Sequence, residues 1–288
     1  MTTETTWLRV SRERPCPVCE KTDWCLVAAD KTACICPRTE SAKRCGDAGF
    51  LHRLADTRRP LGPRRVVIRP VTAPPDLSAL AAGFREAATP DRLAAFAAEL
   101  GVRTASLTAF GVGWAAGYPA WAFPMTDPTT ATVTGIRLRP PVGKKFSVTG
   151  GKESLFLPAP LAPAGEALLV CEGATDAIAA HTIGFLNAVG RPSCTGGTAH
   201  LVALVRRHRP AGVVVVADKD VAGMRGADAL ATTLSLYSRD VRVIAPPAGV
   251  KDLRAWVAAG ATRPALEHLI HSAARRRLDL TLTTRGTK

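Results

Sequence analysis

The apolar positions follow three successive rhythms, and each predicts a different kind of element. In residues 76–101, Leu77, Leu80, Ala81 and Phe84, then Leu93, Phe96, Ala97 and Leu100, recur at spacings of three and four on either side of Thr89-Pro90-Asp91. That spacing predicts two short amphipathic helices, the second ended by Gly101. From about 110 to 160 the pattern changes to short β-rich runs broken by Gly and Pro, at Trp121–Phe123, Thr132–Leu138, Lys145–Val148 and Ser154–Leu157. These predict an antiparallel segment. Beyond Pro163 come apolar runs, ALLVC (167–171), FLNAV (185–189), VVVVA (213–217) and VRVIA (241–245), interrupted only by Asn187 and Arg242 and separated by helical stretches at 174–183, 198–208 and 223–238. Apolar strands that alternate with helices predict a parallel sheet covered on both faces.

The first 57 residues are organised by sulfur rather than by hydrophobic period. Six of the eight cysteines fall between Cys16 and Cys45, the others being Cys171 and Cys194. Cys16-Pro-Val-Cys19 has the spacing with which a tight knuckle points two sulfurs at one tetrahedral ion. Thiolates select soft or borderline ions, and so small a module buries too little apolar surface to fold without help, so a structural Zn2+ is expected. Cys16 and Cys19 form the secure pair, with Cys25 and Cys36 as their partners. Cys34 and Cys36 are expected to alternate along a strand onto opposite faces, which leaves Cys34 as a small core residue and Cys45 as a substitute ligand. Trp24 is either ribbon core or a stacking surface. A Pro- and Arg-rich stretch at 58–75 then predicts an extended linker.

Composition narrows the class of partner. The chain has 288 residues, 47% hydrophobic and 22% charged, with a formal charge of +14. Two folded domains fit that length, and no apolar run approaches the roughly 18 residues of a membrane span. The N-terminus lacks the apolar stretch of a signal peptide, so a reducing, cytoplasmic setting without disulfides is expected. The positive excess points to a polyanion, because phosphates neutralised by Lys and Arg release condensed counterions.

Against this basic background a few acids stand at telling places. ALLVC runs straight into Glu172-Gly173-Ala174-Thr175-Asp176, and VVVVA into Asp218-Lys219-Asp220. The carboxyl ends of parallel strands are where α/β sheets bind ligands, and acids gathered there repel unless a cation neutralises them. Asp218 and Asp220, two apart in extended chain, project the same way and suit one hard cation, with Glu172 as a second ligand or proton shuttle. Lys251 and Asp252, after VRVIA, approach the same edge.

With these motifs in order, CEGATDAIAA, VVVVADKDVAGMRGADAL and GVKDLRAWV, the segment from 163 to 262 resembles the Toprim domain shared by bacterial-type primases, topoisomerases and some nucleases. The upstream stretch FPMTDPTTATVTGIRLRPPVGKKFSVTGGKESLFLP is similar to the N-terminal subdomain of a primase catalytic core, and the Cys-rich start looks like a phage or mobile-element primase zinc ribbon. The resemblance implies an α/β protein: a zinc ribbon (1–57), a linker (58–75), an α+β primase N-subdomain (76–162), a Toprim domain with a parallel sheet flanked by helices (163–262), and a basic C-terminal tail (263–288). It implies primer synthesis on a single-stranded DNA template from nucleoside triphosphates. Glu172 and Asp176 would be catalytic acids, and Asp218 and Asp220 would hold Mg2+ or Mn2+ together with Glu172. Arg137, Arg139, Lys144, Lys145 and Lys251 would hold template or nucleotide.

Neither Gly143-Lys144 nor Gly151-Lys152 is preceded by the glycine of a GxxxxGK[ST] loop, so unwinding is expected of a separate replicative helicase. A Toprim nuclease would use the same acids, and a recombination mediator would bind DNA without catalysis.

Overall fold

A computed structural model describes residues 6–54, 75–161 and 165–277, so the expected linker, Pro75 apart, lies outside the described residues. The chain divides into two compact units, Met1–Val71 and Thr72–Lys288.

The first unit is a four-stranded antiparallel meander of β1 (Trp7–Arg9), β2 (Leu26–Ala28), β3 (Ala33–Cys36) and β4 (Phe50–Arg53) in that order. Four of the six buried residues in its core are cysteines, the others being Val10 and Val27. With Ala28 and Ile35 they are the buried apolar residues besides the cysteines, and this is a small fraction of what ordering such a unit costs.

The second unit begins with three helices. In α1 (Leu77–Glu86) the Asp76 carboxylate accepts from the Ser78 and Ala79 amides. In α2 (Pro90–Leu100) Thr89 caps the first turn, Pro90 occupies it, and Gly101 closes the helix at φ 69°, a left-handed position that suits glycine. The third, α3 (Thr104–Ala109), was not expected. An antiparallel sheet follows, β5 (Gly113–Ala115), β6 (Ala120–Thr126), β7 (Val133–Arg139) and β8 (Phe146–Ser147), ordered as in the chain. Its alternation sorts the strands: Ile136 and Leu138 of β7 pack toward α1, while Trp121 and Phe123 of β6 join the core that holds Phe96 of α2.

The parallel sheet consists of β9 (Leu168–Cys171), β10 (Ala188–Gly190), β11 (Val213–Val216) and β12 (Val241–Ile244), in the order β10-β9-β11-β12. Helices α4 (Ala174–Thr182), α5 (Thr198–His208) and α6 (Val221–Leu234) cross between strands. Leu168 and Val170 face the core shared with α5 and α6, whereas Leu169 and Cys171 face the core shared with α4, which is why β9 carries no polar position. Two further helices follow, α7 (Leu253–Ala258) and α8 (Arg263–Ser272). Residues 263–272, expected as the start of a tail, are thus helical, and Leu266 is fully buried.

Ser154–Leu157, expected as a strand, instead joins the two sheets by single bridges: Leu155 pairs with Thr126 of β6, and Phe156 with Gly190 of β10. A second join is polar. His181 and Thr182 of α4 reach the Ser106 hydroxyl of α3, both at 3.0 Å. The basic strand β7 is thereby fixed against the parallel sheet. Among the described residues no helix is long and apolar enough to cross a membrane.

Candidate active site and metal centre

In the first unit the Sγ atoms of Cys16, Cys19, Cys25 and Cys36 all lie within 4.8 Å of one another. Cys19 and Cys25 are 3.6 Å apart and Cys25 and Cys36 3.8 Å. A tetrahedral ion with metal–sulfur bonds of about 2.3 Å sets its sulfurs about 3.8 Å apart, so the four fit one ion. Among the described residues no other three or more metal-capable side chains converge so closely. Cys45 is not in the group.

Cys34 does not turn away. Its Sγ is 3.5 Å from that of Cys16, because residues two apart on a strand share a face, and the expectation of opposite faces fails on that geometry. Ile35 between them takes the other face. Arg38 is engaged at the centre, its Nη1 3.7 Å from Cys25 Sγ and 3.9 Å from Cys19 Sγ, and its Nη2 2.7 Å from Asp23. Trp24 is 71% exposed and sits at φ 63°, which excludes ribbon core.

In the second unit the sheet order places β9 and β11 side by side, with the connection from β9 leading outward to β10 on one side and that from β11 to β12 on the other, the point at which an open α/β sheet leaves a crevice at its carboxyl edge. Both acidic motifs leave the sheet there. Asp176, in the first turn of α4, is 7% exposed and accepts the Arg254 amide at 2.9 Å, linking α4 to α7. Burial, then Asp252, pushes its carboxyl up to about 6, against the pull of the Arg254 amide and guanidinium and of Lys145. Asp218 is raised further, to about 7, by burial and then by Asp176, Glu172, Asp252 and Asp220. Glu172 is raised by burial and Asp220, while Arg191 opposes the rise.

Four carboxylates acting electrostatically on a fifth raise its carboxyl, although among the described residues no three of them bring an oxygen each within 4.8 Å of one another. Asp220 gives one oxygen, Oδ1, to the Gly223 amide at 2.7 Å as the cap of α6, and Asp252 gives Oδ1 to Ala255 as the cap of α7, also at 2.7 Å. Their second oxygens have no such duty. The Lys219 amide donates to the Lys251 carbonyl at 3.1 Å and ties these two acidic loops together.

Arg191 was not foreseen from sequence. Gly190 pairs with Cys171, so Arg191 follows beside Glu172, 3% exposed, its Nε donating to the Ser193 carbonyl at 2.7 Å. It is a fixed cation inside the acidic edge.

Facing that edge is a narrow cleft. Arg137, Arg139 and Lys145 line one wall and Gly173, Ala174 and Thr175, at the start of α4, the other. Arg137 and Arg139 occupy one face of β7 and pair with the exposed carboxylates of Glu153 (3.1 Å) and Glu99 (3.3 Å). The Arg137 Nε is buried without a partner. Lys145 is exposed along its length, yet crowding of its ammonium by the cleft and then Arg139 hold it below the ordinary lysine range, against the pull of Asp176. Three cations thus stand opposite a helix N-terminus, two of them paired with carboxylates. Lys144 and Lys251 are exposed and do not line this cleft.

Comparison with known proteins agrees with this geometry. Residues 169–256 match the family model described as Toprim-like. The E. coli primase catalytic core superposes with a TM-score of 0.55 at 18% identity, covering 69% of this chain and 79% of that one. A DnaG primase catalytic domain bound to ssDNA gives 0.56 at 18% identity, covering 68% and 79%. The zinc-binding and RNA polymerase domains of Aquifex aeolicus primase give 0.56 at 16%, covering 70% and 60%. No curated protein matches the chain. The fold is therefore that of DnaG-type primase catalytic cores, with a Toprim-like domain at 169–256.

Proposed function

We propose that the protein is a primase, a nucleotidyltransferase that makes short RNA primers on single-stranded DNA. The observation that carries this reading is a cleft lined by Arg137, Arg139 and Lys145 and by the start of α4, beside a sheet edge where carboxylates raise one another's pKa. A polymerising site needs both: cations for the triphosphate and template backbone, and carboxylates for the divalent ions. The single-stranded DNA in one solved relative supports the template class.

In this reading Glu172, Asp218 and Asp220 hold Mg2+ or Mn2+, with Asp252 beside them. Asp176 keeps α4 and α7 in register. A divalent cation bound there polarises the phosphates and stabilises the departing pyrophosphate. Arg137, Arg139 and Lys145, with the amides at the start of α4, grip the triphosphate, exchanging their exposed carboxylate partners for it. Arg191 keeps Glu172 ionised and oriented. Lys144 and Lys251, outside the cleft, serve the template backbone. Zn2+ in the thiolate centre folds the ribbon, where exposed Trp24 offers a stacking face for a template base. A separate helicase supplies the single strand, and the setting is the cytoplasm.

The test is primer synthesis by variants. Glu172→Gln and Asp218→Asn should each lower it at least 100-fold while single-stranded DNA binding stays within about threefold. Unchanged synthesis in either variant would overturn the assignment.

A further inference from the structure

The ribbon gathers more sulfur than one tetrahedral ion can use. Four thiols complete a shell, yet five lie in contact: the Cys16, Cys19, Cys25 and Cys36 group, and Cys34 against Cys16. The Cys16–Cys34 separation of 3.5 Å compares with 3.6 Å for Cys19–Cys25 and 3.8 Å for Cys25–Cys36, although Cys34 stands outside the four thiols that lie within 4.8 Å of one another. That separation is also close to the edge of a metal–thiolate tetrahedron, about 3.8 Å.

Cys34 is fully buried, and this sulfur is its side chain's one polar partner. It shares a strand and a strand face with Cys36, opposite His52 and Phe50 of β4 respectively. Both thiols therefore hang from one rigid backbone segment above the same site. A residue needed only to fill the core would lose nothing as alanine or valine. A thiol placed against a ligand sulfur has a chemical use, because sulfur is what the ion selects.

We propose that Cys34 is a fifth, exchangeable ligand of the ribbon's metal, which takes the place of Cys36 when that thiol is lost while Cys16, Cys19 and Cys25 stay fixed. The proposal rests on the metal-centre reading and goes beyond it, since that reading needs only four fixed ligands. Exchange takes no redox step. One thiol loses its proton to solvent as it binds, and the displaced thiolate regains one.

The experiment uses the full-length chain loaded with Zn2+ or, for spectroscopy, Co2+. Metal per chain is measured after dialysis against a competing chelator, and the sulfur count is read from Co2+ charge-transfer bands and zinc-edge absorption. Cys34→Ser and Cys36→Ser should each keep about one ion per chain with four sulfurs around it. The double variant Cys34→Ser/Cys36→Ser should lose at least tenfold in occupancy. Cys25→Ser, which removes a sulfur in contact with two others, should lose metal as the double variant does.

Two results overturn the proposal. One is loss of the ion from Cys36→Ser equal to that of the double variant. The other is retention with three sulfurs and one light atom. Cys36→Ala, which preserves the apolar packing, gives the same reading should the serine variant fail to fold. A wild-type chain that binds no metal at all would overturn the centre itself, and this outcome is distinct from loss confined to Cys36→Ser.

Discussion

Asp218 concentrates the chemistry of the acidic edge in one side chain. With its carboxyl raised to about 7 and Asp176 to about 6, the metal-free folded chain holds protons that the unfolded chain has released above about pH 4. Its stability must therefore fall as pH rises from about 4 through 7, and a divalent cation must restore it. Asp218→Asn should raise the metal-free melting temperature by a few degrees at pH 8 and by less at pH 5. Millimolar Mg2+ should raise the melting temperature of the wild type but not of the variant. Thermal melts with and without Mg2+ at the two pH values check both statements.

At this scale the acids were legible because each follows a strand with no other polar residue. Arg191 was not, since an arginine after a three-residue strand carries no pattern. Its role appears only when β10 is laid beside β9. The Cys16–Cys19 pair was legible from spacing, the convergence of Cys25 and Cys36 on it was not, and the facing of Cys34 was misread although the two-residue repeat of a strand contains the answer.

Between elements, the site depends on how closely backbone passes backbone. Gly190 ends β10 directly against the peptide after Glu172, and a Cβ there would stand 2.5 Å from the Gly173 carbonyl oxygen. Gly190→Ala should cost about 1–3 kcal/mol in denaturant unfolding and weaken Mg2+ binding, because β10 must move away from β9. Gly117→Ala, where a Cβ meets nothing within 4 Å, is the matched control and should change neither. Full stability in Gly190→Ala would mean that this edge is more compliant than its packing implies.

The long elements were legible, since α1, α2, α5 and the four apolar strands carry enough repeats to declare their period. The six-residue α3 and the three-residue β5 do not. Ser154–Leu157 has strand composition yet pairs through one bridge to each of two sheets, a tertiary fact that no local pattern encodes. That segment matters because it fixes the basic strand opposite the acids.

For the whole molecule, the charge of +14 takes on a direction. Arg137, Arg139 and Lys145 face the positive end of α4 across a cleft, and the carboxylates gather at the adjoining sheet edge. A protein that only bound DNA would gain nothing from carboxylates that repel both one another and the phosphate backbone. The acids make sense as holders of divalent ions in nucleotidyl transfer. The most direct test supplies the purified chain with single-stranded DNA, Mg2+ and labelled ribonucleoside triphosphates, with no primer. The account predicts short labelled oligomers whose formation requires both template and Mg2+. Degradation of the template, or DNA binding with no oligomer formed, would contradict it.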